Sequence, residues 1–216
     1  MSDNTEVEAV ESDEPAELDQ SKSAPIDREI VGPFDESEAN AVRPYVDLGG
    51  IKVLPREGLH LRLEVEEGSK RVVAVALDIA ESTLQLQPFA APRSTGLWHE
   101  IRQQISDQIL KQGGKTKLTV GAFGPELLAE IPAVASGGDG STRLARFVGV
   151  DGPRWFLRGV IAGKALSDPR AAEEIEDLFR SIVVVRGTTP MPPRDLIPLQ
   201  MPKTASGQQA PTTPDA

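Results

Sequence analysis

The chain has 216 residues with 33 acidic and 23 basic side chains, a formal net charge of −10, and no cysteine. The lack of cysteine excludes disulfides, thiolate metal sites and a cysteine nucleophile, and with them a disulfide-stapled secreted module. The acidic excess is concentrated at one end, since residues 1–40 carry 13 acids against 2 bases, Lys22 and Arg28, and the rest is close to neutral.

An acidic block poor in aromatic residues buries too little apolar surface to offset the entropy of ordering it, so residues 1–40 are expected to form a solvated, disordered tail. That stretch has acids where an export signal needs a basic start, so no export signal is expected. The longest apolar run, Val72 to Leu77, falls far short of the ~20 residues that span a bilayer. The expectation is a cytoplasmic protein without membrane association. Direct nucleic-acid binding is not expected either, because that affinity comes from lysine and arginine displacing phosphate counterions. The tail as a mimic of nucleic acid is a further reading, set against simple solubilisation.

Beyond the tail, Tyr45 to Gly50 leads into an apolar Ile51 to Leu54. Leu59, Leu61, Leu63 and Val65 then alternate with His60, Arg62, Glu64 and Glu66, the period-two signature of a half-buried strand. A turn at Glu67 to Lys70 leads to a second strand with Val73, Val75, Leu77 and Ile79 on one face. A third sets Leu84 and Leu86 against Gln85 and Gln87. Together they predict an antiparallel meander with one wet face.

The period then lengthens. Trp98, Ile101, Ile105 and Ile109 follow one another at helical spacing, which predicts a helix burying one stripe, capped by Ser94 or Thr95 and ended by Gly113-Gly114. Lys117 to Val120 reads as a strand, Pro125 to Glu130 as a short helix, and Ser136 to Thr142 as a flexible loop. Leu144 to Val150 and Arg154 to Ile161 form a predicted hairpin across Asp151-Gly152-Pro153. The last helix is signalled by Asp168 as N-cap, Pro169 at the first turn and Arg180 at the end, with Ala172, Ile175, Phe179 and Ile182 as its inner stripe. Ile182 to Val185 continues as a buried strand. Runs of antiparallel strands with two main helices predict an α+β domain over residues 41–187. Residues 188–203 are rich in proline yet hold Met191, Leu196, Ile197, Leu199 and Met201, which predicts an extended arm strapped along the domain. Residues 204–216 are expected to be disordered.

Motifs for chemistry are sparse. Gly113-Gly114-Lys115-Thr116 resembles the end of a phosphate-binding loop, but position 109 is Ile109 where that motif needs glycine, and a helix precedes it where a strand is required. His60 and His99 have no partner at metal-ligand spacing, and no GxSxG elbow is present. No catalytic residue, metal or cofactor is therefore expected. What stands out is arginine beside aromatic surface. Arg93, Arg154 and Arg158, with Phe156 between the last two, are candidate ligand- or partner-binding residues, because guanidinium groups offer paired donors to a carboxylate or phosphate. Against this, the aromatics would serve the core and the arginines pair with acids.

The segments Gly32-Pro33-Phe34-Asp35, Tyr45 to Gly49, LQLQPFAAPRSTGLW (84–98), VGVDGPRWFLRGVIAG (148–163), VVVRG (183–187) and MPPRDLIPLQMP (191–202) resemble an uncharacterised actinobacterial family, domain of unknown function 3710. The resemblance spans about residues 32–202 and implies no activity or site. The element order is also similar to PsbP-type α/β sandwiches, an analogy of fold alone. The expected function is a non-enzymatic binding or protein-interaction module acting on an unknown protein partner. The alternative is a binder or enzyme for a small anionic ligand, such as a phosphorylated metabolite or nucleotide, held by an arginine clamp.

Overall fold

A computed structural model of the protein describes residues 19–132 and 142–202. In chain order its elements are α1 (Arg28–Val31), β1 (Phe34–Asp35), β2 (Val46–Asp47), β3 (Ile51–Val53), β4 (His60–Val65), β5 (Val72–Ile79), β6 (Ser82–Ala90), α2 (Trp98–Lys111), β7 (Lys115–Gly121), β8 (Gly124–Pro132), β9 (Thr142–Asp151), β10 (Trp155–Gly163), a 3-10 turn (Lys164–Leu166), α3 (Pro169–Arg180) and β11 (Val183–Val184). The period-two segments assemble into a seven-stranded antiparallel sheet in the order β4-β5-β6-β10-β9-β8-β7. A small second sheet, β1-β11-β3-β2, has one parallel pair, β1 with β11. The class is α+β, as the sequence predicts, with α2 and α3 as the main helices.

Alternation sorts the large sheet into two faces. One buries Val75, Leu77, Leu84, Leu86, Leu157 and Ile161 against α3 and the small sheet. Phe179 of α3 sits over Gly159, where an added Cβ would come within 2.9 Å of the ring. The other face receives α2 across its β7-β8-β9-β10 half, where Trp98 rests on Gly149 and a Cβ would lie 2.4 Å from the indole. The two glycines let the two helices approach the sheet. Each fully buried aromatic then contributes about 2–3 kcal/mol.

Several expectations are corrected. Residues 125–130 are strand, the central part of β8 between β7 and β9. Neither Ser94 nor Thr95 caps α2. Asp151 does so from the end of β9, its carboxylate accepting Leu97 N at 2.8 Å and Trp98 N at 3.4 Å. The inner stripe of α3 runs through Ala171, Ile175, Leu178 and Phe179, with Ala172 only half-buried. Asp168 does cap α3, accepting from Arg170 N and Ala171 N.

The solvated-tail expectation fails for residues 19–40. Both cations of that acidic segment are anchors. Lys22 Nζ donates to the carbonyls of Gly152 and Pro153 at 2.6 and 2.8 Å. Arg28 is buried, pairs with both oxygens of Glu38 at 2.7 Å, and lies 5.6 Å from the Trp155 ring. Asp35 accepts from Trp155 Nε1 at 2.9 Å, and β1 joins the small sheet. Residues 1–18, most of the expected 136–142 loop, and 203–216 lie outside the described residues.

The C-terminal segment threads a wedge in the sheet. β5 and β6 pair only as far as Val75 with Leu86, and beyond that point the free edge of β6 bonds the arm instead. Ile197 N donates to Pro88 O at 2.9 Å, and Ala90 exchanges bonds with Asp195 and Arg194 at 2.8 Å each. Ile197 and Leu199 enter the core. Prolines suit an extended strand at an edge, where each missing N–H faces no ladder partner.

Candidate functional site

Because α2 covers only half of its face, the remaining β4-β5-β6 half stays open beside it. In register across this half stand Arg62 on β4, Ala76 on β5 and Gln85 on β6, with Glu64 of β4 opposite Ala74 of β5. α2 supplies a wall with Ile105 and Ile109, and β8 to β10 continue it with Ile131, Phe147 and Val160. The result is a groove of about 520 Å³, within the size range of small-molecule sites. The α2 side sets Ile105 and Ile109 beside Gln108 and Gln112, and the other carries Arg62, Glu64, Thr83, Gln85 and Arg158, with Arg143 also at its margin.

The charges along this groove are not alike. Arg62 is spoken for, since its Nε and NH2 meet the two oxygens of Asp78 at 2.6 and 3.0 Å. The pair holds the Asp78 carboxyl below its ordinary range, chiefly through the hydrogen bond from Arg62. Glu64 accepts from the Gln85 amide. Arg158 differs from both. Its Nε and NH2 donate to one neutral atom, Gln87 Oε1, with the Nε bond at 3.1 Å, and its guanidinium stands 5.5 Å from the Phe89 ring. Burial draws its pKa below the usual arginine range, and no nearby carboxylate offsets that effect among the described residues. A guanidinium keeps its charge even so. The protein thus holds a partly desolvated cation next to neutral partners at the edge of an open groove.

The structure brings together only part of the sequence-predicted constellation. Phe156 is fully buried beneath α2, stacked between Phe89 at 6.0 Å and Trp98 at 5.9 Å. It supports Phe89, which in turn underlies Arg158. Arg154 precedes β10, about 13 Å from Arg158 at ~3.3 Å per residue, and reaches Gly187 O at 3.4 Å. Arg93 is exposed in the connection between β6 and α2. Neither lines the groove, so the three arginines do not form one clamp. Trp155 faces the opposite side, covered by Arg28 and Asp35.

Sequence reading missed Arg62, Arg143 and the isoleucine wall. The wet-face alternation of His60, Arg62 and Glu64, and of Gln85 and Gln87, is the signal that marks this half of the sheet. Joining it to Arg158 requires knowing that β10 pairs with β6, with Arg158 opposite Gln87. Among the described residues no helix is long and apolar enough to cross a membrane.

No curated protein matches the chain. Residues 32–208 match the family described as protein of unknown function, DUF3710. That span takes in both sheets, the groove and the C-terminal arm, and the chain belongs to the DUF3710 family.

Proposed function

We propose that this protein is a non-enzymatic binding module whose groove takes a small amphiphilic organic anion. Arg158 meets the carboxylate or phosphate head, and Ile105, Ile109 and Phe147 hold the apolar body. The observation that carries this reading is the Arg158 guanidinium, drawn out of water and bonded only to Gln87. A buried charge without a counterion is costly, and an anion accepting two parallel N–H bonds would offset that cost. The half-buried Ile105 and Ile131 argue for a ligand with more than a charged head, because an inorganic ion would leave them wet. Two of the groove's three arginines, Arg158 and Arg143, have no acid on them among the ion pairs of the described residues. The interaction reading centred jointly on Arg154 and Arg158 has less support, since the two stand in separate surroundings.

Thermal unfolding of the full chain tests this with octanoate and octyl phosphate, against octanol and inorganic phosphate as half-ligands at matched ionic strength. Ligand at ~100 times its Kd adds about 2.7 kcal/mol, or about 5–10 °C in Tm for a chain of this size. The two amphiphilic anions should raise Tm in the native protein and not in Arg158→Gln. Their relative effect tells carboxylate from phosphate. An absent shift, or one matched by octanol or kept in Arg158→Gln, overturns the reading.

A further inference from the structure

The two edges of the large sheet are built differently. β4 is short, carries Arg62 and Glu64, and has a register irregularity between Glu64 and Val65. Charges and bulges are the usual means of keeping an edge strand from pairing with another chain. β7 has no bulge, and its charges, Lys115 and Lys117, are confined to one face and to the first half of the strand. It pairs with β8 in unbroken register over all of Lys115 to Gly121, and no strand among the described residues bonds its outer side. Thr116, Leu118 and Val120 point to the α2 side of the sheet, where Thr116 Oγ1 lies 2.8 Å from Ser106 Oγ. Leu118 is 58% exposed and Val120 84%. Lys115, Lys117 and Thr119 alternate with them on the other face.

We propose that β7 is a self-association edge, on which a second copy of this chain adds its own β7 antiparallel about a two-fold axis at Leu118. The charge pattern selects that register. Rotation about the sheet normal keeps each face in place, so only residues on the same face can stand opposite one another. With the axis at Leu118, all seven residues find partners: Leu118 faces Leu118, Thr116 faces Val120, Lys117 faces Thr119 and Lys115 faces Gly121. No lysine opposes a lysine. Moving the axis to Lys117 sets that residue against its own copy, a destabilising like-charge pair. Moving it to Thr119 leaves Lys115 and Thr116 unpaired. The favoured register also joins the exposed leucine and valine side chains of both copies into one apolar strip beside α2, and extends each seven-stranded sheet into one of fourteen. The contact is a single strand pair, so the dimer is a weak, concentration-dependent one.

Molar mass in solution, measured on the full chain by light scattering between about 10 and 500 µM, tests the proposal. The native protein should move from 23.2 kDa towards twice that value as concentration rises. Leu118→Lys and Leu118→Glu, each placing like charges on the axis, should stay monomeric at an exposed position that leaves folding intact. An equimolar mixture of the two variants should dimerise, because lysine then faces glutamate. A native protein that stays monomeric throughout, a dimer that survives Leu118→Lys, or a mixture that fails to associate each overturns the proposal. The first result together with exchange-protected β7 amides would assign the edge to another segment of the same chain.

Discussion

Replacing Asp151 with alanine removes a side chain that ties the N-terminal segment, α2 and the large sheet together. Its carboxylate accepts Leu97 N at 2.8 Å, Ser23 N at 3.0 Å and, more weakly, Trp98 N at 3.4 Å. Two good bonds to a charged acceptor are each worth about 1.5–3 kcal/mol, a gross loss of about 3–6 kcal/mol. Part of this is returned, because burial pushes the Asp151 carboxyl above the usual carboxylate range against the pull of those donors and Lys22. A net loss of about 3 kcal/mol remains, above the ~0.5–2 kcal/mol of an ordinary helix cap because the same carboxylate also holds Ser23 N. For a chain of this size it lowers Tm by about 6–12 °C. Urea unfolding with calorimetry reads both numbers, and amide exchange should show Ser23, Leu97 and Trp98 losing protection first. A loss below about 0.5 kcal/mol, or unchanged exchange at those three amides, would refute the reasoning that Asp151 serves as a cap supplied by a neighbouring strand.

Trp155→Phe removes the indole bond to Asp35 while keeping the ring, and should cost about 1–2 kcal/mol. Limited proteolysis should then cut within residues 19–38 faster than in the native protein, and an unchanged cutting rate would contradict the anchoring role. Ile197→Ala opens a cavity where the arm enters the core and should cost about 2–4 kcal/mol. A cost near zero in urea melts would mean the arm is only loosely held. Glu126 is buried near Arg146 and Glu176, and burial raises its pKa. A folded-state pKa above the unfolded one gives stability that is full below about pH 4 and declines as pH rises through the folded value. The native protein should therefore lose stability as pH rises above the ordinary glutamate value of about 4.3, and Glu126→Gln should lose less over the same interval. Parallel pH profiles for the two proteins would dismiss that assignment.

The wet-faced meander, α2, the β9–β10 hairpin and α3 are legible in the sequence because each carries its own period over many residues. Pro125 to Glu130 misleads because Leu127 and Leu128 are adjacent, and neither period is visible until β7 and β9 flank the segment. The first forty residues mislead for another reason. Composition averages residues 1–18, which have no base, with residues 19–40, which hold both Lys22 and Arg28. What anchors the latter is not apolar burial but a paired guanidinium, main-chain ladder bonds and an indole N–H, none of which composition reports. The site was half legible. Arg158 stands out beside aromatic residues, and so do Arg93 and Arg154, but sequence cannot tell a strand-face arginine from one at a turn four residues earlier. That distinction depends on β10 pairing with β6, a contact between residues about seventy positions apart.

The claim that Arg158 makes the groove an anion site is tested most directly by NMR titration of the labelled full chain with octanoate. The Arg158 Nε–H signal and the Ile105 and Ile109 methyls should shift together and saturate on one curve, and both methyls should be silent in Arg158→Gln. Shifts confined to other surfaces, or methyl shifts that persist in that variant, would contradict it.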